Sequence, residues 1–154
     1  MKLILDNNLY DDIWNTIIEK FNYPKNFNCT EPFKTFKIKL WNEDQEHLVN
    51  EIFKQISNKE IYALDRQHDC FIYNPHENIP FNTEWYDESR DCNVYFPTYY
   101  PDRDYYAFVS TDYSYGLMGH PWKSKIQLAI LSSFLFRLKH KSNFIDNLSN
   151  ILYN

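Results

Sequence analysis

Glycine is almost missing from this sequence: there are two, Gly116 and Gly119, in 154 residues. Average usage near 7% would supply about eleven. The shortage excludes the motifs built on glycine-rich turns. A phosphate-binding loop, a Rossmann fingerprint and a serine nucleophile elbow cannot be assembled from two glycines three residues apart. Asparagine is abundant and can take left-handed turn positions in glycine's place.

Cysteine is also scarce. Cys29, Cys70 and Cys92 are odd in number and irregular in spacing, which reads as free thiols in a reduced, cytoplasmic protein rather than a disulfide framework. Long apolar runs are lacking, so no bilayer-spanning segment is expected. Residues 1–20 mix apolar side chains with Asp, Asn and Glu, unlike a leader peptide. Positive charge is short as well, at a net −5. The one dense basic cluster, Arg137, Lys139, His140 and Lys141, reads as a solvated helix end. No nucleic-acid partner is therefore expected, and the acidic balance fits a basic protein partner or none.

What is present is a globular composition, 44% apolar and 24% charged, with 19% aromatics. The length suits one domain over residues 1–154. Thirteen tyrosines dominate the aromatics; their rings can lie half-buried with the hydroxyl in water.

Periodicity outlines the elements. Asp11 or Asp12 is placed to cap a helix carrying Ile13, Trp14, Ile17, Ile18 and Phe21, ending near Asn22 before Tyr23-Pro24. Phe33 to Trp41 alternates as a half-buried strand. Asn42 or Asp44 is placed to cap a second helix, with Leu48, Val49, Ile52, Phe53 and Ile56 on its apolar stripe. Ile61 to Tyr73 reads as strand, broken near Arg66. Residues 76–103 form a long, acidic, aromatic loop. Tyr105 to Ser110 and Tyr113 to Trp122 form a hairpin around Thr111-Asp112, and Lys125 to Leu131 continues as strand. Helices are expected over 132–140 and after Ser142. The order predicts an α+β fold: an antiparallel sheet of about five or six strands, covered on one face by two or three amphipathic helices.

Two stretches hold the candidate chemistry. One is Tyr62 to His76, Y-A-L-D-R-Q-H-D-C-F-I-Y-N-P-H. The other is Tyr115 to Trp122, Y-G-L-M-G-H-P-W. Asp65 and His68 form an acid–base pair only if a bend interrupts strand alternation between them. His68 and Cys70, about 7 Å apart along a strand, could share a metal with His76 and His120. The regular ligand spacings are lacking, so no metal or cofactor is expected. Cys70, flanked by Phe71 and Ile72, reads as a small buried hydrophobe rather than a nucleophile. In the second stretch the two glycines permit a left-handed backbone or a close approach, Pro121 holds His120 extended, and Trp122 anchors the segment. His120 is the better single candidate for a functional imidazole.

These motifs, with D-Y-Y-A-F-V-S-T-D-Y-S-Y-G at 104–116, give the chain a resemblance. It resembles the bacterial family called domain of unknown function 2716 over roughly residues 33–131, leaving 132–154 as a helical tail particular to this chain. Arg66 stands where the family pattern leads one to expect tryptophan, and Lys123 where it leads one to expect an acid. The resemblance implies that Asp65, Gln67, His68, His120 and Trp122 belong to a common core. It carries no activity.

Two functions remain open. One is a stoichiometric binding protein, such as an immunity or inhibitor protein, working through the 84–103 region on a basic partner. The other is a small-ligand receptor or hydrolase with His68 and His120 converging in a pocket, oriented by Asp65 or Gln67 and lined by Arg66, Tyr106 or Trp122. No complete catalytic constellation can be written down, so whether the chain is an enzyme stays undecided, and binding is favoured.

Overall fold

The computed structural model describes residues 1–24, 31–38, 43–57, 60–66, 69–77, 84–96, 105–120, 125–138 and 148. The chain begins with a short strand, β1 (Lys2–Leu3), then helix α1 (Asn7–Phe21). The cap is Asp6, not Asp11 or Asp12: its carboxylate accepts from the amides of Asn8 and Leu9. The helix therefore starts a turn earlier than its apolar stripe. It stops at Asn22, which takes a left-handed conformation with φ 52°, a role asparagine fills where glycine is scarce.

Strand β2 (Phe33–Ile38) and helix α2 (Glu43–Ile56) follow. Val49, Ile52, Phe53 and Ile56 are buried, as their spacing predicts. The capping candidate Asn42 and strand residues 39–41 lie outside the described residues, and Asp44 falls inside α2. Strands β3 (Ile61–Asp65) and β4 (Cys70–Tyr73) form an antiparallel hairpin, so the break near Arg66 is a reversal of the chain. The 76–103 region is not all loop. It contains a second hairpin, β5 (Glu84–Asp87) and β6 (Cys92–Tyr95). Strands β7 (Tyr106–Ser110), β8 (Tyr115–His120) and β9 (Lys125–Leu131) precede helix α3 (Ser132–Leu138). Of the helix expected after Ser142, only Leu148 lies among the described residues, and it is buried.

Seven strands make one antiparallel sheet in the order β1-β4-β3-β7-β8-β9-β2, and β5-β6 stand apart. The fold is α+β, with more strands than the periodicity predicts. It also differs in its layers, because both faces of the sheet are covered. Alternate residues of each strand enter two separate clusters. Ile61, Ala63, Phe71, Phe108, Leu117 and Leu128 pack with α2 and with Val94 and Phe96 of the hairpin. Leu64, Cys70, Ala107, Val109, Met118 and Ala129 pack with Ile13, Trp14, Ile17 and Phe21 of α1. Period-two alternation makes this possible. Each buried Val, Leu, Ile, Met or Phe side chain among them is worth about 1.5–3 kcal/mol, and each alanine methyl about 0.8.

Neither glycine has a positive φ. Both lie inside β8, so the left-handed reading of Gly116 and Gly119 is wrong. Close approach is the reason at Gly116, where a Cβ would sit 3.2 Å from Val109 Cγ2 and 3.6 Å from Phe21 Cζ.

Candidate functional site

The two motif stretches flank strand β7 at one end of the sheet. Asp65 pairs with Tyr106 at the β3–β7 boundary, and the Arg66 amide donates to the Tyr105 carbonyl at 3.3 Å. Continuing the β7–β8 register brings Tyr105 opposite His120, and their rings meet edge to face at 5.2 Å. Tyr23 closes the group. It packs against Tyr105 at 6.3 Å, and its hydroxyl donates to the Gly119 carbonyl at 2.7 Å. Burial pushes the Tyr23 phenol far up, with Tyr105 adding to the effect, so it remains a neutral donor.

This geometry sorts the candidate residues. Arg66, Tyr105 and His120 are in register on the α1 side of the sheet. Asp65 and Tyr106 are one residue out of phase with them, so by strand alternation Asp65 does not share the face of His120. Gln67, His68 and Trp122 lie outside the described residues. His120 is only 7% exposed, and its ring packs against Tyr105. Among the described residues no three His, Cys, Asp or Glu side chains come together as a metal set. His76 instead places Nε2 3.0 Å from the Ser57 carbonyl.

A cleft of about 440 Å³ opens beside the first motif. The end of the β3–β4 turn and the start of β4 supply Asp69 and Cys70, the segment before α1 supplies Leu5, the first turn of α1 supplies Asn7 and Tyr10, and the β5–β6 turn supplies Asp87, Ser89 and Arg90. Arg90 bridges the two carboxylates. Its Nε donates to Asp87 Oδ2 at 2.7 Å, and its Nη2 contacts Asp69 Oδ1. Asp87 Oδ1 also accepts from the Ser89 amide at 2.9 Å and hydroxyl at 2.6 Å. Asp69 and Asp87 are 8% and 3% exposed, whereas the Arg90 side chain is 45% exposed. At the floor, Cys70 points its thiol to the Asp65 carbonyl at 3.6 Å, and burial pushes that thiol up to about 12. It is no nucleophile at neutral pH.

The sequence gives little notice of this cleft. Asp69 lies in the first motif, but Asp87 and Arg90 fall in the 76–103 region, which reads as an acidic, aromatic loop. Their spacing of three residues, with Ser between, was the available signal for a closed turn.

The outer face of the β5–β6 hairpin is the other conspicuous surface. Tyr86 and Tyr95 are 57% and 62% exposed. The Tyr86 hydroxyl donates to Asp91, the Asn93 side-chain amide donates to Glu84, and the Tyr95 hydroxyl donates to Glu84 at 3.4 Å. The inner face carries Val94, and with Phe96 just beyond the strand it joins the main core. The result is two tyrosine rings framed by carboxylates and braced from below.

The model of a family described as Protein of unknown function (DUF2716) matches residues 4–129. That span holds the whole cleft, the hairpin and His120. Among individual proteins, the uncharacterized protein YxiI of Bacillus subtilis (strain 168) is 28% identical over 136 residues, covering 75% of this chain and 79% of its own. No solved structure matches the chain.

Proposed function

Because this chain belongs to the family described as Protein of unknown function (DUF2716), we propose its function from its own surface: it is a stoichiometric binding protein, of the immunity or inhibitor kind, that seats a basic protein on the β5–β6 hairpin. The observation that supports this reading is the outer face of the hairpin. Tyrosine offers large contact area at low conformational cost and is enriched where binding energy concentrates. Here two such rings stand beside Glu84 and Asp91, an arrangement that suits arginine or lysine through both ring face and carboxylate. The net charge of −5 would steer a basic partner toward the molecule.

The alternative is a small-ligand-binding protein or hydrolase with a pocket shared by His68 and His120; His68 lies outside the described residues, and no observation favours this reading over the hairpin.

The test is capture from native cells with tagged protein, comparing wild type with the double variant Tyr86→Ala/Tyr95→Ala. Wild type should retain one basic protein at 1:1 stoichiometry. The variant should lose it while melting within about 2 °C of wild type, since both rings are surface residues. Equal capture by both proteins would sink the hairpin as the contact surface.

A further inference from the structure

We propose that the cleft between Asp69, Asp87 and Tyr10 is a binding site for an organic monocation bearing a guanidinium group. The inference concerns a different surface from the outer face of the hairpin and does not depend on it.

Charge comes first. Asp69 and Asp87 are both buried, and one guanidinium, Arg90, serves both. Among the described residues lining the cleft, Arg90 is the one cation. The wall therefore keeps one net negative charge, and a buried carboxylate is costly unless matched. Asp87 is well satisfied by Ser89 and Arg90. The Asp69 carboxylate contacts Arg90 through Oδ1, so Oδ2 is the acceptor placed for a ligand.

Anions are disfavoured. Arg90 is already committed to two carboxylates, and the first turn of α1 is closed by the Asp6 side chain. A bare metal ion fits poorly too. About 440 Å³ is the scale of an organic ligand, and Ile4, Leu5 and Cys70 give one side of the cleft an apolar wall that no hydrated ion would use. The Tyr10 ring adds an aromatic surface at the same rim. An apolar stem ending in a planar cation matches all three features.

The probe is Nα-acetyl-arginine amide, a monocation, titrated into the full chain and followed by amide NMR. Nα-acetyl-citrulline amide, its neutral isostere, is the control, and it tests the site on wild-type protein alone. Arginine amide should saturate below about 10 mM and shift the Cys70 and Ser89 amides; citrulline amide should not. Binding of both, binding of neither, or shifts confined to other residues would each overturn the proposal. The variants give opposite signs. Asp69→Asn should weaken binding at least about fivefold. Arg90→Gln, which leaves both carboxylates uncompensated, should strengthen it about threefold or more. A clamp that served only the fold would show no tightening in Arg90→Gln. A pentapeptide, Gly-Gly-Arg-Gly-Gly, separates the sources. Affinity equal to the amide's assigns the site to a free small molecule, and affinity about tenfold higher assigns it to a protein side chain.

Discussion

The Tyr23 hydroxyl and the Gly119 carbonyl, 96 residues apart in sequence, share a buried 2.7 Å hydrogen bond. It ties the end of α1 to the strand that carries His120. Tyr23→Phe keeps the ring contacts with Trp14 and Tyr105 but orphans a buried carbonyl. The expected cost is about 1–2 kcal/mol in urea unfolding. Because burial raises the Tyr23 phenol so far, the loss should be the same at pH 6 and pH 9. A cost that vanishes at pH 9 would mean the phenol ionises in the folded protein.

Helix and strand interiors were legible because burial there follows one element's own period. The stripe Val49, Ile52, Phe53 and Ile56 is an example. The short strand that Lys2 to Leu5 offers is also present, as β1 paired to Ile72 and Phe71. The β5–β6 hairpin was not legible, because it hides among exposed aromatics and acids. The chain reversal after Asp65 also removes the continuous strand on which an Asp65–His68 alternation would rest. At the site, the two stretches stood out by their rare residues, but they do not pair with each other: β7 lies between β3 and β8. The cleft was not legible, because Tyr10, Asp69 and Arg90 come together only when three separate elements are in place.

Gly116 gives a graded test of packing. Its φ is not positive, so alanine meets no backbone strain, and it gains strand stability over glycine of about 0.5–1 kcal/mol. Against that, its Cβ would meet the stiff Val109 side chain at 3.2 Å and the Phe108 carbonyl at 3.5 Å. Gly116→Ala should fall within about 1 kcal/mol of wild type. Gly116→Val places two more carbons against Val109 and Phe21 and should cost about 2–3 kcal/mol. Equal denaturation midpoints for the two variants would show that α1 does not press on β8 there.

The two described cysteines should behave oppositely. Cys92 is exposed and Cys70 is buried. In a Cys29→Ser background at pH 8, a thiol reagent should label one cysteine in the native protein and two after unfolding. Cys70 also carries a pH signature. Its folded pKa is raised from 9.0 to about 12, chiefly by burial. Stability from the protonated thiol is full below the unfolded pKa and is lost as pH rises toward the folded one. Between pH 9 and 10 stability should fall by about 1.4 kcal/mol per pH unit at most from this group. Cys70→Ala should flatten that slope. Above pH 10 the decline should steepen in both proteins, because burial also raises Tyr23 and Tyr115.

The placement of the β5–β6 hairpin rests on two different anchors, and they can be separated. Phe96 packs on Phe71 at 5.3 Å and Tyr73 at 5.1 Å and is buried in the main core. Phe96→Ala empties a large volume there and should cost about 3–5 kcal/mol in global stability. The turn, by contrast, is tied by Arg90 to Asp87 and Asp69, with the Arg90 side chain partly in water. Arg90→Gln leaves two buried carboxylates without their guanidinium, should cost about 3 kcal/mol and should act locally. Hydrogen exchange distinguishes the two. Phe96→Ala should speed exchange across the whole sheet together with the hairpin. Arg90→Gln should speed it at Arg90, Asn93 and their neighbours while Phe108 and Leu117 keep their protection. If Arg90→Gln instead loosened the sheet as much as Phe96→Ala, the clamp would be part of the global core rather than a local tie of the hairpin turn.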